Sequence, residues 1–214
     1  MFNLILKDIF LLKKTILASA AYIVFFLFVF RQSGITVFPA VMVAISYMLI
    51  LSGCAYENKN NSDLMLNSLP IPRSRIVAAK YLSIFVFLGW GMIIYLIVVK
   101  LFSMIKLPIE ISPLSLEDLI GAIFAVSFLN SIYLPIFFKF GYIKSRIINV
   151  FIFLLIFFGF SNGVKFFIDN QNNLSLFSKQ ATNFQLALGI IIAALVFFLI
   201  SYFISLKFYK NREF

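Results

Sequence analysis

The chain has 214 residues, 63% of them hydrophobic and only 12% charged, with a mean hydropathy of +1.05. A soluble domain carries about 25% charged residues, so this balance excludes a water-soluble globular protein and leaves an integral membrane protein. The absence of histidine excludes His-dependent zinc and Ser-His hydrolytic chemistry, and the single cysteine, Cys54, excludes an intrachain disulfide and reads as a small buried hydrophobe.

The spacing of charges sets the layout. Six gaps between successive charged residues run 16 to 27 residues and are filled almost wholly with apolar side chains: Thr15 to Phe30, Gln32 to Tyr56, Tyr81 to Val99, Leu119 to Phe138, Ile147 to Val164 and Gln180 to Leu206. About 20 apolar helical residues cover a ~30 Å hydrocarbon core, where only helices and closed barrels satisfy their own backbone. The expectation is an all-α integral membrane protein with six transmembrane helices in one domain, residues 1–214. Short connections leave no room for a soluble catalytic or nucleotide-binding domain of about 50 residues or more.

Taken in chain order, Met1 to Lys14 reads as an amphipathic helix in the inner interface, with Asn3, Lys7 and Lys14 opposite Phe2, Ile5, Ile9 and Leu12. The alternative is a plain extension of the first span. That span is short and needs Lys14 and Arg31 to snorkel. Lys7, Asp8, Lys13 and Lys14 precede it with no small-residue cleavage motif soon after, so it is expected to stay in the mature chain. Arg31 to Gly34 makes a tight outer turn to span two.

Between Glu57 and Lys80 lies the longest polar inner segment. Ser62 suits an N-cap and Asp63 a first turn, so Asp63 to Leu69 is expected to form a short helix that offers Leu64, Met65, Leu66 and Leu69 for contacts. Pro70 stops it, and Pro72 suits the first turn of a helix running through Arg73 and Lys80 into span three. Span four contains Asn130, Ser131 and Pro135, and Pro135 is expected to bend it. A short basic connection, Lys139 to Arg146, includes Gly141. Asp169 to Asn173 forms a polar outer stretch before span six.

The net charge of +10 is sorted by side. Of the 18 Lys and Arg, only Arg31, Lys100, Lys106, Lys165 and Lys179 fall in outer connections, which puts both termini in the cytoplasm by the positive-inside rule. The basic surplus is a topology signal, and nucleic acid is not an expected partner. Most of the 29 Phe, such as Phe25, Phe28 and Phe151, are expected to face lipid or pack between helices, and Asn130, Asn149 and Asn162 to hydrogen-bond between helices.

No apolar gap holds Asp or Glu, which argues against an ion- or proton-coupled carrier, because such carriers place an ionisable group near the midplane. No G-x-x-x-x-G-K-[ST] sequence occurs, so ATP has to be bound by a separate ATPase on the cytoplasmic face. Two readings of Asn58 to Arg75 stand side by side: a helix that enters a partner's groove, or a solvated loop whose arginines fix topology.

The run Glu57-Asn58-Lys59-Asn60-Asn61-Ser62-Asp63-Leu64-Met65-Leu66-Asn67-Ser68-Leu69-Pro70-Ile71-Pro72-Arg73, followed by Ile76-Val77 and Lys80-Tyr81, resembles the segment after the second span in small bacterial permeases of the ABC-2 transporter family. Leu134-Pro135-Ile136-Phe137-Phe138-Lys139-Phe140-Gly141-Tyr142, with Lys144 and Arg146, is similar to the end of their fourth span. Within the family the chain looks like the membrane subunits of phenol-soluble modulin exporters. The resemblance implies a type V exporter-like half-transporter that pairs with a second permease subunit, identical or related, and with ABC ATPase subunits that hold the ATP and Mg. It makes Ser62, Asp63, Leu64, Met65, Leu66, Asn67, Ser68, Leu69, Pro70 and Arg73 a cytoplasmic coupling helix, and places no catalytic, cofactor or metal residue in this chain. Amphipathic or antimicrobial peptides are the implied cargo, moved among membrane lipids. The alternatives are a lipid or drug exporter subunit, a stand-alone carrier or channel, and a membrane scaffold or immunity protein.

Overall fold

The computed structural model describes residues 2–29, 37–104, 114–169 and 183–212, and of residues 63, 152–169 and 183–187 it describes the backbone. Among the described residues seven helices follow one another: α1 (Phe2–Leu11), α2 (Lys13–Val29), α3 (Val37–Lys59), α4 (Ser62–Ser68), α5 (Arg73–Met104), α6 (Leu116–Asp169) and α7 (Asn183–Lys210). Among the described residues no strand occurs. Four helical segments among the described residues, Val37–Lys59, Arg73–Met104, Leu116–Phe151 and Leu188–Lys210, are long and apolar enough to cross a membrane, and α1 with α2 makes a fifth if that bent pair counts as one span. The remaining predicted span, Ile147 to Val164, falls largely on residues whose side chains lie outside the described set, as do Asn162 and the outer segments 31–34 and 170–173.

Apolar side chains from three helices build the centre. Val41, Met42, Ile45 and Leu49 of α3 meet Ile84 and Phe87 of α5 and Leu134 of α6, all almost fully buried. Cys54 is buried among them, as expected of a small hydrophobe. Phe25, Phe28 and Phe151 point outward, at 62%, 60% and 65% exposure, where lipid rather than water is their solvent.

The elbow between α1 and α2 turns through 65° at Leu12, whose side chain is wholly buried. The N-terminal segment is therefore a separate helix and not an extension of α2.

α6 breaks inside the connection expected between spans four and five, Lys139 to Arg146. Its non-helical residue is Gly141, at φ 75°, ψ 178°, rather than Pro135. Positive φ is open to glycine because it has no Cβ, and a Cβ here would stand 3.1 Å from the Arg212 guanidinium. A single residue thus connects two helical arms, and the expected Lys139 to Arg146 connection is otherwise helical.

Pro135 acts differently: it cannot donate to the carbonyl of Ser131, one turn back. Ser201 of α7 supplies the missing donor, its Oγ lying 2.6 Å from that carbonyl oxygen. Tyr81 of α5 closes the set, with its hydroxyl 2.6 Å from Ser201 Oγ and 2.7 Å from Ser205 Oγ. With the Ser201 proton committed to the carbonyl, Tyr81 donates to Ser201 and Ser205 donates to Tyr81. Three helices are joined through one proline-freed carbonyl. Asn130, by contrast, donates within its own helix to the Val126 carbonyl at 2.8 Å, and so does not make the interhelical bond expected of it.

Ser201→Ala is expected to destabilise the detergent-purified protein by about 1 kcal/mol, the net worth of such a bond. In a Pro135→Ala background the same change costs less, because residue 135 then offers its own N–H to the Ser131 carbonyl. Thermal unfolding of the four variants checks this, and an equal cost in both backgrounds contradicts it.

Candidate coupling site

α4 is held between a tight entry and a proline exit. Asn61 sits at φ 49°, ψ 36° in the left-handed region, which Asn tolerates better than most residues. Its carbonyl accepts from the Leu64 and Met65 amides at 3.1 and 3.4 Å, so Asn61, not Ser62, is the N-cap residue. No side-chain cap bond forms; the backbone conformation alone turns the chain. At the far end Leu69 is extended, at φ −85°, ψ 151°, as a residue before proline prefers. Pro72 stands just ahead of α5, and its carbonyl accepts from the Arg75 amide at 2.9 Å.

The two sides of α4 differ in what they touch. Leu66 points inward and is 5% exposed. Asn67 donates to the Tyr209 hydroxyl at 3.1 Å, and Tyr209 is itself buried on α7 with its ring edge-on to Phe138. Arg73 gathers the end of α7, donating to the carbonyls of Tyr209, Lys210 and Arg212 at 3.2, 2.7 and 3.2 Å. These carbonyls lie at the negative end of the α7 dipole, where a cation is favoured. Leu64 and Met65 face outward at 57% and 64% exposure, joined by exposed Leu69, Ser68 and Pro70, with Ser62 half-buried beside them. Residues four apart share one helix face. α4 therefore presents an uncovered apolar face, flanked by exposed Lys59 and Arg75.

Beneath Leu66 lies a set of four charges that sequence reasoning missed. Glu57, near the end of α3, accepts from Lys7 of α1 at 2.6 Å through Oε1 and from Lys80 of α5 at 2.7 Å through Oε2. Asp8 of α1 lies 3.3 Å from Lys7 and 3.6 Å from Lys80. Two positive and two negative groups cancel. Asp8, Glu57 and Lys80 are nearly fully buried, and Lys7 is the member that reaches the surface. Burial pushes the Asp8 carboxyl above its ordinary range, with Lys80 and Lys7 pulling against it. A cavity of about 20 Å³, room for one water, separates this set from Leu66, Ile76, Phe137 and Phe138. The available signal was the sign of the charge: Asp8 and Glu57 are acids in segments otherwise dominated by Lys and Arg.

A family model described as ABC-2 family transporter protein matches residues 3–210, nearly the whole chain. The chain belongs to the ABC-2 transporter family. No curated protein and no solved structure matched. An ABC-2 membrane protein is the permease part of an ABC transporter, so its energy source is an ABC ATPase. In this ABC-2 permease the exposed face of α4, the Arg73 clamp on α7 and the four buried charges lie within one short stretch of the molecule.

Removing one member of a buried ion set leaves its partners uncompensated, which costs about 3–5 kcal/mol, whereas replacing a pair with apolar groups is often neutral. Glu57→Gln is expected to lower the thermal midpoint sharply, and Glu57→Gln with Lys80→Met to recover part of the loss. A double variant as unstable as the sum of its single variants would contradict the pairing.

Proposed function

We propose that the protein is the permease subunit of an ATP-driven bacterial exporter, and that its ATPase docks on the outward face of α4. The observation that supports this reading is the division of α4 into Leu66 and Asn67, bound to the bundle, and Leu64 and Met65, left uncovered together with Leu69 at its exit. A helix bolted on one side and apolar on the other accepts a partner's groove and passes its movement on. The chain binds no ATP of its own. Six spans, with both termini and α4 on the cytoplasmic side, complete the proposed topology.

Closure of two ATPases pushes α4 in a pairwise assembly of this chain with a second permease chain. The push reaches α7 through Asn67, Arg73 and Tyr209, and reaches α1, α3 and α5 through Leu66 and the charges beneath it. A rigid rotation of packed helices is the ordinary form of such a change. The likeness to phenol-soluble modulin exporters, together with the low polarity of the spans, favours an amphipathic peptide as cargo and a lipid next.

Leu64→Asp and Leu66→Asp separate docking from folding. Leu64→Asp is expected to keep the thermal midpoint of the purified permease but to lose co-purification of an ATP-hydrolysing partner, because a carboxylate then faces an apolar groove. Leu66→Asp is expected to lose stability first, by several kcal/mol. If Leu64→Asp retains full assembly and full coupled hydrolysis, α4 is not the dock. Labelling of Met65→Cys, in a Cys54→Ala background, by an impermeant reagent outside intact cells would reverse the topology.

A further inference from the structure

On the side of α1 away from the charges, the elbow opens a groove of about 500 Å³ against α5. That volume falls in the ~300–1,000 Å³ range of small-molecule sites. Its walls are apolar, with Phe10 and Ile16 on one side and Phe85, Trp90 and Ile93 on the other, and Lys13 stands at the elbow as the cation among its lining residues. Lys13 is exposed, and among the described residues no acidic side chain lines the groove.

The dimensions choose among occupants. From Phe85 to Ile93 the wall rises about 12 Å at 1.5 Å per residue, close to one leaflet of a ~30 Å hydrocarbon core. Counted from Lys80, the groove runs from about 8 Å at Phe85 to about 20 Å at Ile93 along the helix, so it starts beyond the buried charges and leads away from them. A slot about one leaflet deep, apolar along its length and with one lysine among its lining residues, has the size and polarity of one acyl chain of a phospholipid below its headgroup. Apolar walls alone do not choose a lipid chain over the surrounding chains, because lipid tails are as apolar as leucine. The choice has to come from Lys13, which pairs with a phosphate and favours a net anionic headgroup over one carrying its own compensating cation.

We propose that this groove binds one anionic phospholipid from the leaflet that holds α1, with an acyl chain along Trp90 and the headgroup phosphate on Lys13. Gly89 lies in the same wall and has open space where a Cβ would stand, so the groove comes close to the backbone there. An acyl chain in that space holds α1 and α5 apart at the elbow while the four charges hold them together on the opposite side.

Trp90 is the one tryptophan of the chain, which makes its fluorescence a direct reading of the groove. The full-length protein is reconstituted in nanodiscs with a small fraction of phosphatidylglycerol or phosphatidylcholine brominated midway along the chains. Brominated phosphatidylglycerol is expected to quench Trp90 at about a fivefold lower fraction, the ratio that ~1 kcal/mol per lysine corresponds to. Lys13→Gln is expected to remove the headgroup preference and keep the quenching. Gly89→Leu, which fills the slot without straining a helical position, is expected to reduce quenching by both lipids while the thermal midpoint holds. Equal quenching by the two lipids in the wild type overturns the proposal. So does quenching that disappears as protein density rises, because the occupant is then a second copy of the chain, and so does displacement by an amphipathic peptide without any headgroup preference.

Discussion

Four paired charges at one end of the bundle, three of them buried, constrain the rest of the structure. A carboxylate or ammonium taken out of water costs several kcal/mol, and the cost is recovered only when the partners are close and well aligned. Glu57 meets both lysines at hydrogen-bonding distance, but it can do so only if α1 folds back across the ends of α3 and α5. The 65° elbow at Leu12 is the backbone consequence of that requirement. The groove on the far side of α1 is a consequence of the elbow, since a helix leaving the bundle at that angle cannot also close against Phe85 and Trp90.

α4 is positioned by the same region. Leu66 covers the cavity above the charges, and Asn67 and Arg73 fasten the segment to the end of α7. Arg212, beyond that end, packs against Gly141 at the break in α6. The ends of α3, α5 and α7 and the break in α6 therefore converge beside one short helix. Further along, the helices are joined by dispersion and by the bonds that Pro135 makes necessary, from Ser131 through Ser201 to Tyr81. Displacement of α4 is thus shared among several helices before it reaches the lipid-facing parts of the bundle.

Much of this was legible in the spacing of charges, because a bilayer penalises any charge it must cover. The ends of α3 and α7 fall close to the predicted gaps, α5 starts just after Pro72 as expected but runs past Val99, and Pro70 follows the end of α4. The cap was misread because side-chain capping is only one way to start a helix; Asn61 starts this one by its own left-handed backbone. The break at Gly141 falls inside the connection read between spans four and five, and it narrows to one residue because glycine permits a conformation that other residues resist. The buried charges were missed for a different reason. Lys7, Asp8, Glu57 and Lys80 were read one at a time as markers of a membrane boundary, and their pairing depends on three helices whose approach no local pattern encodes. Leu66 likewise shares a short apolar run with Leu64 and Met65, and only packing separates inward from outward.

The central claim is that the outward face of α4 carries the work of an ATPase into the bundle. Its most direct test is a photo-crosslinking amino acid placed in turn at Met65 and at Leu66 of the chain in its host membrane, followed by identification of the crosslinked peptides. Position 65 is expected to capture an ABC ATPase, and position 66 to crosslink only within the permease, to residues such as Phe137 and Phe138 across the cavity. Capture of the ATPase from position 66 but not from position 65, or from neither while the transporter remains active, would contradict it.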